Sequence, residues 1–341
     1  MFVHAPRSTR ISLSLPSPAP CAARRLVGGF TIIEMLVVIG IISLLLSLVL
    51  YGISGARKRA HKTGELNNLR QVYFAWNLYA NNNNSSALPG YLTTEVQARW
   101  KLNYEYQDKT AIPPAPNFGA GDPNIAGPWV WRLLPYLDYS HDTVRGYARD
   151  ENISDNEMVA NAQKIADEPG FGYNGYYIGG YWELVGTEPR ARFRPQATTP
   201  LPLGETHVNI PTSVAQVNKT DKFIIFCASS HFTPGVYQKQ TDDRAGDDLV
   251  IPPYLADVQQ WSSGVGNTLG SGPNGAVSAD ITASPFVINV LAETSAPMMR
   301  YTNQAALVHA DGSTTADSPG GLMDMRFWVN SASKADSTHS P

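Results

Sequence analysis

Gly28–Tyr51, GGFTIIEMLVVIGIISLLLSLVLY, is the stretch on which every other assignment in the chain depends. From Phe30 to Ile53 the only formal charge is Glu34, and roughly 20 apolar residues are enough to cross the hydrocarbon core of a bilayer. The run therefore reads as a spanning helix. A carboxylate inside such a segment costs on the order of 2.5–3.5 kcal/mol on insertion scales, so Glu34 calls for a partner. Gly28-Gly29 is a small-residue site, and a cut after Gly29 would make Phe30 a new N-terminus with a cationic amine. An ordinary secretory signal has a 7–15-residue apolar core followed by its cleavage site. Here the small-residue site comes first and the apolar run is too long.

Composition sets the remaining bounds. With 341 residues, 43% hydrophobic and 16% charged, the chain can build one sizeable core beyond the helix. Met1–Gly29 carries Arg7, Arg10, Arg24 and Arg25 and no acid, so its removal takes the net charge from −3 to −7. That balance opposes a nucleic-acid role. Arginines ahead of the span place the leader in the cytoplasm and the head beyond the membrane, although Arg57, Lys58 and Arg59 follow the span. Of the two cysteines, Cys21 lies in the leader and Cys227 in the apolar run Phe223–Cys227, where a thiol packs in a strand.

Downstream, Leu66, Leu69, Val72, Tyr73, Trp76 and Tyr79 recur at three- and four-residue spacing and predict a helical continuation whose stripe faces a sheet. No proline interrupts residues 30–80, and any softening of the helix is expected near Tyr51, Gly52 and Gly55. The helix ends in Asn81–Asn84, and Ser85–Gly90 reads as linker. Ser154-Asp155-Asn156-Glu157 has capping-box spacing and predicts a helix from about Asp155 to Asp167. The second half reads as short strands at Lys222–Ala228, Leu249–Pro252, Phe286–Ala292, Gln304–His309 and Met325–Asn330. Asn267–Ala276 reads as a glycine-rich loop and Ser331–Pro341 as a polar, disordered tail.

Gly29-Phe30-Thr31, with Glu34 ahead of a long apolar run, resembles the prepilin family. The resemblance implies that a prepilin peptidase cuts between Gly29 and Phe30 and N-methylates Phe30. It also implies that Glu34, with Thr31 beside it, serves assembly by neutralising the amine of a neighbouring subunit in a filament core. Asn67-Asn68-Leu69-Arg70-Gln71-Val72, Leu78-Tyr79-Ala80-Asn81 and Trp129–Leu137 are similar to a group of prepilin-like proteins common in planctomycetes and verrucomicrobia. That group ends with a histidine, nine residues and Asp-Gly. Asp311-Gly312 is present here, but Tyr301 occupies the histidine's place. Ser313–Gly321 would lengthen the turn before a last strand at Met325–Asn330.

The expected fold is α+β, pilin-like: a long N-terminal α-helix, transmembrane in its first half, packed on an antiparallel β-sheet head. Its expected divisions are a leader at 1–29, a filament-core helix at 30–53, an amphipathic continuation at 54–80, a linker at 81–90, a head at 91–330 and a tail at 331–341. The expected partners are prepilin peptidase, other pilin or pseudopilin subunits and the bacterial inner membrane, with the head in the periplasm. The seven histidines fall in no H-E-x-x-H spacing and no nucleophile elbow or phosphate loop occurs, so no enzyme is expected. Calcium is a weaker expectation, from the resemblance to major pseudopilins and from acids at Asp242, Asp243, Asp247 and Asp248, or at Asp311 and Asp317. The alternative to a filament subunit is a membrane-anchored adhesin whose aromatic residues between 100 and 182 bind glycans.

Overall fold

The computed structural model describes residues 31–112, 125–146, 161–192, 210–232, 238–239, 246–255, 258–259, 261–262, 277–280, 287–289, 294–301 and 304–335. The elements, in chain order, begin with α1 (Ile32–Asn82), β1 (Tyr91–Leu92), α2 (Thr94–Trp100), α3 (Val130–Leu133), α4 (His141–Arg145) and α5 (Ala162–Asp167). Then come β2 (Phe171–Tyr173), β3 (Tyr181–Val185), β4 (Glu188–Arg192), β5 (Ile224–Phe232), β6 (Gln238–Lys239), β7 (Tyr254–Leu255), β8 (Val258–Gln259) and β9 (Trp261–Ser262). The last are β10 (Val277–Asp280), β11 (Val287–Asn289), β12 (Thr294–Pro297), β13 (Ala305–His309), β14 (Thr314–Asp317) and α6 (Pro319–Leu322). The fold is mixed α+β, and its contacts divide it into two compact units, Met1–Ser54 and Gly55–Pro341.

In the first unit α1 runs through an apolar window none of which is buried, and the helix is long and apolar enough to cross a membrane. It passes Gly52 and Gly55 without a break.

In the second unit the later turns of α1 are amphipathic for the reason the sequence gives. Leu69, Val72, Tyr73 and Trp76 fall on one face and are buried, with Leu66 and Tyr79 packed at the edge of the same core. Each such side chain taken from water contributes about 1.5–3 kcal/mol. The helix ends at Asn82, where Asn83 Nδ2 donates to the Tyr79 carbonyl at 2.7 Å and closes the last turn.

β5 centres the main sheet and pairs antiparallel with β2, β12 and β13, and β13 turns into β14. Its residues Ile224–Ala228 are wholly buried, and burial pushes the Cys227 thiol up, which keeps it inert packing. α1 is fixed to this sheet by polar contacts as well as apolar ones. Arg300 Nη1 donates to Glu65 Oε1 at 2.6 Å, the Tyr301 hydroxyl donates to Glu65 Oε2, and both charged side chains are 1% exposed. Tyr73 Oη donates to the Ala310 carbonyl at 3.0 Å. A smaller sheet joins β1 parallel to β3 and β3 antiparallel to β4. β6, β11, β10 and β9 form another, and β7 pairs with β8.

Several sequence expectations need correction. Residues 85–90 are built into the head: Ala87 N donates to the Thr212 carbonyl at 2.7 Å and Gly90 N to the Gly180 carbonyl at 2.9 Å, and Ala87–Gly90 are buried. Small residues allow that approach, since a Cβ on Gly90 would stand 2.8 Å from Gly175 Cα. Met325–Asn330 is not a strand. Met325–Phe327 is a 3-10 turn capped by Asp324, whose Oδ1 accepts from Arg326 N at 2.9 Å. The hairpin is instead tight, because β14 begins at Thr314, two residues after Gly312. Leu249 makes only an isolated bridge to Tyr173. Pro135 lies at the start of a 3-10 turn, Leu134–Leu137, that follows α3 directly. The start of the tail is tied in by Met325 N donating to the Ala335 carbonyl at 2.9 Å, with Ala332 buried. The capping box at Ser154, the loop 267–276 and residues 336–341 lie outside the described residues.

Candidate functional site

Gly29 and Phe30 lie outside the described residues. Thr31 and Glu34 do meet. Thr31 stands before the first helical residue, and its amide and hydroxyl both donate to Glu34 Oε2 at 2.8 Å. Glu34 N in turn donates to Thr31 Oγ1 at 3.3 Å. This is a capping box, T-x-x-E, in which the third helical residue reaches back to the cap and satisfies amides that no helical carbonyl serves. The spacing was open to reading, but the pairing of Glu34 within its own chain was not expected. The carboxylate thus lies on Thr31, at the positive end of the helix dipole.

Asp311 and Asp317 are kept apart by the hairpin. Asp311 is in the turn, where Oδ1 accepts from Ser313 N at 2.8 Å and Ser313 Oγ at 2.6 Å. Although partial desolvation pushes its carboxyl up, these bonds and nearby His309 hold it below the usual range. Asp317 closes the far end of β14, opposite Ala305, and accepts from Ser318 N at 2.7 Å. The length of β14, roughly 10 Å at 3.3 Å per residue, separates them. Each carboxylate therefore serves its own turn, and the pair does not converge on one ion. Asp242 and Asp243 lie outside the described residues, and among those described no group of three or more His, Cys, Asp or Glu side chains is placed to hold a metal. His309 is spoken for by the Lys222 carbonyl at 2.9 Å and Thr315 Oγ1 at 3.2 Å.

Most of the aromatics between 100 and 182 fill the core: Tyr106, Trp129, Trp131, Tyr173, Tyr176 and Tyr177 are buried. Tyr104, Tyr136 and Tyr139 are half-buried against that core, and Trp100, Tyr181 and Trp182 gather with Tyr91 at one place. Tyr91 of β1 and Tyr181 of β3, register partners in the small sheet, stack with ring centroids 5.2 Å apart and planes 3° from parallel. Their neighbours Trp100 and Trp182 meet edge to face at 5.0 Å.

Tyr91 and Tyr181 wall a cleft of about 280 Å³ that also takes in Tyr176, Pro128, Asp167 and Asp248. Its floor is glycine, because Gly175 packs against Gly90 and Leu249 too closely for any side chain. Asp248 is held by its backbone, whose carbonyl accepts from Trp129 Nε1 at 2.5 Å and Tyr173 N at 2.9 Å. Its neighbour Asp247 is locked by reciprocal bonds with Ser229 Oγ, at 2.8 and 3.1 Å. Asp248 reaches the cleft wall, yet protein surrounds it densely enough that desolvation pushes its carboxyl well above the usual range. The charge of Asp247, a hydrogen bond with it and the charge of Asp167 add to that shift, and Arg132 opposes it. Arg132 is itself occupied with the carbonyls of Pro89, Ala126 and Gly127 at 2.8–3.2 Å. A second, more open cleft of about 570 Å³ shares Tyr91 and Tyr181 and adds Glu95 and Glu183.

Of these residues the sequence marked Asp247, Asp248, Tyr181 and Tyr176, the acids as calcium ligands and the tyrosines as core or glycan-facing. Tyr91, Asp167 and the glycine floor carried no local signal, because the cleft draws on chain segments up to 159 residues apart. No family model, curated protein or solved structure matches this chain.

Proposed function

We propose that the chain is a pilin- or pseudopilin-like structural subunit, cut between Gly29 and Phe30 by a prepilin peptidase, methylated at Phe30, and assembled with other such subunits from the inner membrane. The observation that carries this reading is the Gly-Phe-Thr-x-x-Glu segment leading directly into a helix whose apolar window is entirely unburied within its own chain. Nineteen consecutive positions, Ile32–Leu50, are exposed and almost wholly apolar. Water excludes such a surface, and a bilayer or the bundled helices of sister subunits would cover it. In a bundle, Glu34 would exchange its Thr31 partner for a neighbour's free amine, and a desolvated pair of that kind is strong only when complete. The polar leader stays cytoplasmic and the head periplasmic, in a type IV pilus or a type II secretion pseudopilus.

Mass spectrometry of the mature protein is expected to find N-methyl-Phe at its start. An intact leader in cells with active prepilin peptidase would overturn the processing step. Glu34→Ala is expected to be cleaved but to enter sheared filaments poorly, and normal incorporation would remove Glu34 from assembly. The alternative, an anchored adhesin without a filament, draws on the half-buried Tyr91, Tyr181 and Trp182 and exposed Trp100. It is weakened by the burial of most other aromatics in that region. Fractionation separates the two readings, because only a subunit leaves the cell with sheared filaments.

A further inference from the structure

We infer that the cleft between Tyr91, Tyr181, Asp167 and Asp248 is a binding site for an organic cation: an ammonium or guanidinium group on a short alkyl stem. The inference does not depend on the filament reading, since the site lies wholly in the second unit.

Three features of the site converge on this ligand. The cleft is about 280 Å³, at the small end of ligand sites, and takes one extended side-chain-sized group rather than a branched or multi-ring one. Its described lining supplies two carboxylates and three phenol rings but no Lys, Arg or His, and the adjoining cleft adds Glu95 and Glu183 with again no basic residue. Aromatic faces and carboxylates around a desolvated pocket are what stabilise a cation, each ring contributing about 0.5–2 kcal/mol.

The rings are also arranged unfavourably for a sugar. Tyr91 and Tyr181 spend one face each on one another, which reduces the flat platform a pyranose needs and leaves a narrow slot. The rigid support is of the kind a binding site needs. Backbone bonds at Asp248, the Asp247–Ser229 lock and the glycine floor fix the backbone that carries the acid. Desolvation first, and then Asp247 and Asp167, disfavour a charge on Asp248, and a proton on its carboxyl would offset them. A cation in the slot would do the same work without that proton.

The test is calorimetric titration of the full-length chain in detergent micelles with n-butylammonium and with methylguanidinium, against 1-butanol, methyl glucoside and calcium chloride. Saturable binding of the two cations is expected, with no binding of butanol or the glucoside. Affinity should fall about tenfold or more in Asp248→Asn and in Asp167→Asn. Asp167 is exposed at the end of α5, so its substitution serves if the first variant fails to fold. Nα-acetyl-lysine methylamide distinguishes the source: binding comparable to butylammonium marks a partner's side chain as the ligand, and its exclusion marks a free amine, either of which supports the site. Binding of butanol or the glucoside as tight as that of the cations would overturn it. So would calcium binding without cation binding, or unchanged affinity in both folded variants.

Discussion

Asp248 shows how one residue can serve a site at the expense of the fold. Its carboxyl is held above the 3.8 of a free aspartate by desolvation first, then by Asp247 and Asp167, with Arg132 pulling the other way. The native state therefore binds a proton that the unfolded chain has already lost. Stability attributable to this group is fully present below about pH 4 and drains away as pH rises through the raised folded value. Asp248→Asn removes that loss while keeping a donor for Asp247. We expect it to raise the melting temperature by about 2–5 °C at neutral pH and to leave it unchanged near pH 3.5. Scanning calorimetry at the two pH values checks this, and an equal effect at both would exclude the charge as the cause. A variant that gains stability while losing cation affinity would be the signature of an acid kept for its ligand.

Among the elements, α1 shows what periodicity can and cannot reveal. Its buried stripe was legible because Leu69, Val72, Tyr73 and Trp76 must share a face at 3.6 residues per turn. Glu65 was not, because nothing local says that a glutamate one position before Leu66 will be covered by Arg300 and Tyr301, over two hundred residues later. The β13–β14 turn was legible through Asp311-Gly312, and Gly312 does take a φ of +85°, with Tyr73 so close that a Cβ would stand 2.5 Å from its ring. Met325–Asn330 misled because a short apolar run looks the same in a strand and in a capped turn. The Glu65–Arg300 pair makes the sharper prediction. Glu65→Leu or Arg300→Met alone leaves an uncompensated buried charge and should cost about 3–5 kcal/mol. The double replacement should recover most of that, less about 1 kcal/mol for the Tyr301 hydroxyl left without its acceptor. Urea unfolding of the full chain in micelles measures it, and additive single losses would mean that the two side chains do not act as a pair.

At the scale of the whole molecule, the two units differ in what covers their apolar residues. Among the described residues, the core of the second is drawn from Leu69 onward, whereas none of the apolar window of the first is buried. This contrast was the most legible property of the sequence, since an apolar run with a single acid announces itself without tertiary information. The cleft was the least legible, because it exists only where five separate segments meet. A chain beginning at Gly55 should then keep every residue of the described core. Its first turns, ahead of Lys62, whose Nζ donates to Gln304 Oε1 at 2.7 Å, and of the anchor at Glu65, will fray, as helix ends do in water. The rest should be soluble without detergent and unfold in one cooperative step, with a melting temperature within about 2 °C of the head in the full chain. Cation affinity should also be preserved, because every cleft residue lies at Gly90 or later in the chain. Aggregation of this fragment, or loss of its cooperative transition, would mean that the apolar helix contributes to the fold of the head as well as to whatever surrounds it.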